Sequence, residues 1–294
     1  NWGNAVKVEG NLEDASSYYR KAIDIKPEFS EAHYNLGVVL MMMGEPIRAF
    51  EYMGNSITID PNNSQFWSGY GRCLEEIKFT SFEDKRSQQL LRMLEQHTVM
   101  PKRVAKAISS LLHLHPTLVQ ISEQIRLKTL RENIEGAVEQ LSHIPLLITL
   151  MELTTINDVE LELLLTEIRR GMLQEVLVNP NDTHIQPFHA ALSIHCFCCG
   201  YVFFETAEEK HKVDKLEKQI EVLIKKDNKI YPLQVAVLSC YLALQKTAFS
   251  EFLHGYNCSG DLEKIINFQI NEPRKEKLLH SQIPRVAAIQ NKVS

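Results

Sequence analysis

At 294 residues, 44% of them hydrophobic, the chain is long enough for one large or two medium cores. It carries 32 Lys and Arg against 37 Asp and Glu, a formal charge of −5 with the two signs interspersed, which excludes a basic nucleic-acid-binding surface. Gly and Pro are sparse and fall between segments of helical period, so the expected class is all-α.

The first 63 residues read as two copies of one unit. In Ser30–Asn63 the marks are Gly37, Leu40, Gly44, Ala49, Met53, Ser56 and Pro61. Thirty-four places earlier stand Gly3, Gly10, Ala15, Tyr19, Ala22 and Pro27, aligned with Gly37, Gly44, Ala49, Met53, Ser56 and Pro61. Leu36, Gly37 and Leu40 share one face of a first helix, and Gly37 is small enough to let a neighbouring helix approach. Gly44 closes that helix, Glu45-Pro46 opens the second, and Asp60-Pro61 ends the unit. Ala49, Met53 and Ser56 face back toward the first helix. This helix–turn–helix pattern resembles the tetratricopeptide (TPR) repeat. His33 stands where that family usually has Trp, and Ser56 where it usually has Ala. The chain opens inside a first helix, at the place aligned with Asn35, so further repeats are expected before Asn1.

The resemblance implies a concave inner face formed by first helices and open to partners. In the central unit this face is assigned to Tyr34, Asn35, Val38, Met41 and Met42, with Asn1 its counterpart in the first unit and Arg72 in the third. Asn35 takes the position that supplies an asparagine ladder in some TPR proteins, sugar-transferring enzymes among them. Its amide offers donor and acceptor to a peptide backbone without reading sequence. Gly69 interrupts that series. Met41-Met42-Met43 adds adaptable apolar surface. The lysine clamp of TPR co-chaperones is absent, because Tyr34 and Val38 stand where a basic residue and an asparagine would be needed.

A third copy is partial. Trp67, Gly71 and Leu74 match His33, Gly37 and Leu40, but Lys78 and Asp84 replace the turn glycine and the alanine. A modified second helix, Glu83 to Gln96, carries Leu90, Leu91 and Leu94, and the repeat segment is set at 1–96. Residues 97–270 keep the helical period without the repeat and are read as an irregular multi-helix domain. One stripe is Val104, Ala107, Ile108, Leu111 and Leu112, and another runs Leu127, Leu130, Ile134, Val138 and Leu141. Pro145 opens a short helix to Leu153. Thr155 or Asn157 is expected to cap a long one bearing Leu161, Leu164, Leu165, Ile168, Met172 and Val176, with Asp158 and Glu160 in its first turn. Pro187 opens an apolar helix to Glu205, Glu208–Lys225 is amphipathic, Tyr231-Pro232 opens a helix through Leu244, and Ser259-Gly260-Asp261 starts the last. The apolar stretch Phe188–Phe204 has 17 residues with His189, His195 and Gly200 inside it, short of the roughly 20 that a bilayer needs. No membrane span and no sheet are expected.

A wider resemblance rests on Phe79-Thr80 with Arg86–Leu94, on Val159-Glu160-Leu161-Glu162 through Arg169-Arg170, and on Cys196–Phe203. The tail adds Asn271–Glu276, Ser281–Arg285, Ile289 and Val293-Ser294. Together these resemble a bacterial family in which TPR repeats and a helical domain precede an S-adenosylmethionine-dependent methyltransferase. In place of the Asn-Glu-Tyr usual there before Val202, this chain has Cys-Gly-Tyr. The resemblance implies that residues 271–294 are a connector toward a catalytic domain beyond Ser294. A glycine-rich loop after a strand, which the cofactor would require, is missing from this chain. No cofactor is therefore expected within it, and S-adenosylmethionine only in the downstream domain.

His195, Cys196, Cys198 and Cys199 raise the question of a metal. Structural zinc takes two spaced ligand pairs, whereas Cys240 and Cys258 stand alone and Cys196 and Cys198 diverge by about 200° on a helix. Core packing of reduced thiols accounts for them, in keeping with a cytoplasmic protein. No nucleophile–base arrangement emerges among the 11 histidines. The sequence thus reads as a non-catalytic, protein- or peptide-binding region of a larger methyltransferase, or as a stand-alone TPR adaptor. A solenoid cut at a repeat is also expected to associate end to end through exposed apolar faces.

Overall fold

The computed structural model describes residues 11–282, and among them every regular element is helical. The class is all-α. Asn1, with Gly3 and Gly10, lies outside the described residues, as does the tail beyond Gln282. The chain divides into two compact units, Asn1–Glu167 and Ile168–Ser294. The change of pattern at residue 96 falls inside the first of them.

The first unit opens with α1 (Leu12–Ile25), α2 (Ser30–Met42), α3 (Pro46–Ile59) and α4 (Ser64–Cys73). The turn between α2 and α3 is made as the sequence dictates. Gly44 takes φ +77°, the Glu45 N–H bonds the Leu40 carbonyl and the Gly44 N–H bonds that of Met41, a Schellman closure. Pro46 then sits at the first position of α3. In the third copy no glycine stands at the turn. The chain passes through a 3-10 turn (Leu74–Glu76) and a loop before α5 (Asp84–Glu95) takes the second-helix place. Gln89 fastens α5 there: its amide donates to the Gly54 carbonyl and the Thr58 hydroxyl and accepts from the Tyr70 hydroxyl.

Beyond the repeats come α6 (Pro101–Leu112), α7 (Pro116–Arg126), α8 (Ile134–Ser142), α9 (Pro145–Leu153) and the start of α10 (Val159–Val178). The stripe read from Leu127 to Leu141 is not one helix. Lys128 adopts φ +62°, with the Thr129 N–H bonded to the Gln124 carbonyl, which closes α7 and leaves Leu127 exposed. Asn133 then caps α8 by accepting from the Gly136 N–H. The cap of α10 is Asp158, not Thr155 or Asn157: its carboxylate accepts from the Leu161 N–H and binds His113 Nε2 at 2.9 Å.

The second unit holds the rest of α10, then α11 (Pro187–Cys198), α12 (Ala207–Asp227), α13 (Pro232–Leu238), α14 (Ser250–His254), α15 (Asp261–Ile266), a π-helical turn (Asn267–Asn271) and α16 (Glu272–Gln282). Here α11 stops seven residues short of the expected Glu205, because Gly200 and Tyr201 both turn left-handed and the Tyr201 N–H returns to the Cys196 carbonyl. Likewise α13 ends at Leu238, not Leu244. The reason is buried in the core: Gln269, fully enclosed in the π turn, accepts from the Leu244 N–H and the Tyr201 hydroxyl. Its amide nitrogen also reaches Ser193 and the Ser239 carbonyl. A second polar knot surrounds Glu209, the third residue of α12. Its carboxylate accepts from the Thr206 N–H and Arg170 Nε, and from the Tyr241 hydroxyl, while the buried Arg169 guanidinium lies 4.3 Å from the Tyr241 ring centroid.

Candidate functional site

Two equivalent hooks set the first helices of the repeats. His33 Nε2 lies 2.8 Å from the Pro27 carbonyl, and Trp67 Nε1 donates to the Pro61 carbonyl at 2.7 Å. Both bonds reach back six residues, and the two positions are 34 apart, so a ring N–H at this place ties each first helix to the end of the preceding unit. That explains how His33 stands in for Trp. Glycines then permit close packing. A Cβ on Gly37 would lie 2.6 Å from Met53 Cγ, and one on Gly69 2.5 Å from the Tyr34 ring. Ser56, in the alanine place, is fully buried and bonds the Met53 carbonyl of its own helix.

With α2 closed on those sides, one stripe stays open. Glu31, Asn35, Val38 and Met42 are spaced by four, three and four residues, hence on one helix face. Asn35 and Val38 are half-buried, and Met42 is 56% exposed. Thirty-four residues on, Gln65 and Arg72 of α4 are exposed in the equivalent places, with Ser68 beside them. Gln65, Ser68 and Glu31 were not singled out from the sequence, although a shift of 34 places from the α2 stripe finds Gln65. Met41 is half-buried at the edge of the stripe. Tyr34 does not belong to it. Only 9% exposed, its ring stacks on Phe66 at 4.9 Å and covers Gly69. The residue that interrupts the asparagine series is therefore the one that makes room for Tyr34. Chemically the stripe offers the amides of Asn35 and Gln65, a hydroxyl, an apolar centre, one carboxylate and one guanidinium, a surface for contact and not for bond-making. It suits an extended backbone with mixed side chains.

The cysteine cluster is separate and dispersed. Cys196 is buried, Cys198 exposed, and Cys199 Sγ lies 3.6 Å from His195 Nε2. Although Cys198 is exposed as a residue, its thiol is partly enclosed, and that desolvation pushes it up, away from reactivity. No group of three or more potential metal ligands comes together among the described residues.

The family model for the TPR repeat matches residues 3–44. The first part of the chain is built of TPR repeats. Curated relatives are similar over 61 to 97 residues. Protein O-mannosyl-transferase TMTC3 of Homo sapiens is 29% identical over 96 residues, 32% of this chain and 10% of its own length. The BBSome complex member BBS4 of Bos taurus is 36% identical over 61 residues, 21% of this chain and 12% of that protein. The type IV pilus assembly protein PilF of Pseudomonas aeruginosa is 34% identical over 97 residues, 32% of this chain and 36% of PilF. The chain thus spans well under half the length of these relatives. A solved PilF structure aligns at 20% identity over 77% of this chain and 90% of its own, with a TM-score of 0.27, too slight a likeness to bear on the fold. Among the described residues no helix is long and apolar enough to cross a membrane.

Proposed function

We propose that the stripe Glu31–Asn35–Val38–Met42, continued by Gln65, Ser68 and Arg72, holds an extended segment of a partner protein. The observation that carries this reading is selective closure: the remaining faces of α2 are filled by α1, α3 and α4, and this stripe alone is left half-exposed at peptide-binding spacing. TPR repeats serve as protein-interaction elements, and the finer step concerns what the capture is for. The likeness of residues 79–94, 159–170, 196–203 and 271–294 to the methyltransferase family supports a recognition region that presents a protein substrate to a catalytic domain in the same cytoplasmic polypeptide. Tethering would raise the local substrate concentration to the millimolar range without any new contact at the chemistry. Two relatives, a BBSome complex member and a pilus assembly protein, favour a second reading, an adaptor that joins proteins without chemistry.

Peptides selected from a random displayed library against the whole chain test the first step. Asn35→Ala, Met42→Ala and Arg72→Ala should each weaken the selected peptide by roughly three- to tenfold in fluorescence anisotropy, as the loss of one net contact predicts. Val119→Ala, which truncates an exposed side chain of α7 outside the repeats, should leave it unchanged. Equal binding by all four variants would remove the groove. Labelled S-adenosylmethionine with the native gene product tests the second step: methyl transfer whose KM rises in the groove variants supports it, and no transfer leaves the adaptor.

A further inference from the structure

The second unit holds a cavity of about 660 Å³ that the repeat function does not use. Three segments remote in sequence build it: the loop after α10 at Pro180, the middle of α12, and the start of α13 at Tyr231 and Gln234. Its volume falls within the range of small-molecule sites. Its walls are chiefly apolar, from Pro180, Val222 and the Tyr231 ring. Behind those walls the packing is polar. Gln234 is 1% exposed, and its amide nitrogen donates to the Pro180 carbonyl at 3.1 Å. A carbonyl only accepts, so this bond fixes the orientation of the amide and turns Oε1 the other way. That buried oxygen has no donor, and neither has the buried Oε1 of Gln219 on the opposing helix. Both oxygens are fully buried, so they lie behind the cavity wall and out of a ligand's reach. At the mouth, Lys215 and Lys218 lie three residues apart on α12, with His211 one turn earlier and Asp214 the opposing charge.

We infer that this cavity binds a small organic anion with a flat apolar body, of the kind found in aryl carboxylates and sulfonates. The body fills the Pro180–Val222–Tyr231 slot, and the lysine ammonium groups hold the anion at the rim. The site is independent of the peptide stripe, and of whichever activity that stripe serves.

A matched pair of fluorescent probes tests it on the whole chain. 8-Anilinonaphthalene-1-sulfonate has the body, the N–H and the anion, whereas N-phenyl-1-naphthylamine lacks only the anion. The sulfonate should bind one saturable site, on the order of tenfold more tightly than the neutral probe, as expected for one charge-assisted contact. Lys215→Ala with Lys218→Ala should bring the two probes level. Val222→Trp changes an exposed residue, so the fold survives it, and its ring should fill the slot and abolish binding of both. Saturable binding unaffected by Val222→Trp, equal affinity for the two probes, or no saturable binding at all would overturn the assignment.

Discussion

His189 gives the sharpest test of how burial sets stability in the second unit. It is the third residue of α11, 6% exposed, and its Nδ1 accepts the Gln186 N–H at 3.1 Å. Burial lowers its pKa from 6.5 to about 4. A proton on Nδ1 would also face the Gln186 donor. Above pH 6.5 the ring is neutral whether the chain is folded or not, and it contributes no pH dependence. As pH falls from 6.5 toward 4, the unfolded ring takes a proton that the folded ring refuses, so stability is lost through that window and levels off below it. The full loss is about 3 kcal/mol, and between pH 7.5 and 5.0 it is about 2 kcal/mol. His189→Gln keeps an acceptor suited to the third position of a helix and does not titrate. Urea unfolding, read by hydrogen exchange in peptides covering residues 187–198, should show the wild type losing about 2 kcal/mol more than the variant between those pH values. A difference below about 0.5 kcal/mol would mean that water reaches the ring and that the burial argument fails.

Two further predictions follow from packing and charge. Gly71→Ala sets a Cβ 2.4 Å from Val99 Cγ2, against a stiff β-branched side chain, and should cost about 1–3 kcal/mol despite the roughly 1 kcal/mol of helix propensity that alanine brings. Gly54→Ala meets nothing closer than the Tyr70 ring at 3.5 Å and should instead stabilise by about 0.5–1 kcal/mol; thermal melts in which both variants shift the same way would refute the contrast. Burial works to raise the Glu209 pKa, but the Thr206 N–H, Arg170 and Arg169 outweigh it and hold the carboxyl below its ordinary range. Its stabilising share is therefore complete above the ordinary carboxylate pKa and is lost as pH falls through the depressed value. Glu209→Gln removes the negative charge beside the buried Arg169 and should cost about 3–5 kcal/mol, a drop in melting temperature on the order of 10 °C at pH 7. A melting point within about 2 °C of the wild type would show the cluster to be dispensable.

The repeat was legible because its constraints are local and recur at a fixed interval. Gly44 must turn left-handed, Pro46 must start a helix, and Gly37 must admit a neighbour, whatever the rest of the chain does. Spacing alone misled between Leu127 and Leu141. Its three- and four-residue intervals survive across a break made by Lys128, a residue type that does not announce a left-handed turn. The apolar run after Pro187 hid the end of α11 in the same way, since nothing in its hydrophobicity distinguishes Cys198 from Val202. Within the site, Asn35, Val38 and Met42 were readable from helix geometry. The burial of Tyr34 was not, because it depends on the missing side chain of Gly69 on another helix. The cavity was illegible for a related reason: residues 180, 222 and 234 become neighbours only once three helices are in place.

The π turn at 267–271 bears on how this chain can change over time. A π turn is an α-helix with one residue too many, and Gln269 sits inside that surplus. Deleting any one residue of the turn would restore a regular helix, the lower-energy local choice. It would also rotate everything on one side of the deletion by about 100°. Gln269 would then swing away from Ser193, Tyr201, Ser239 and Leu244, and four separate segments would lose their partner at once. A single-residue deletion harmless in most helices would here be lethal to the unit. Lineages carrying this domain should therefore vary at the exposed positions of α15 and α16 while keeping the length of both to the residue.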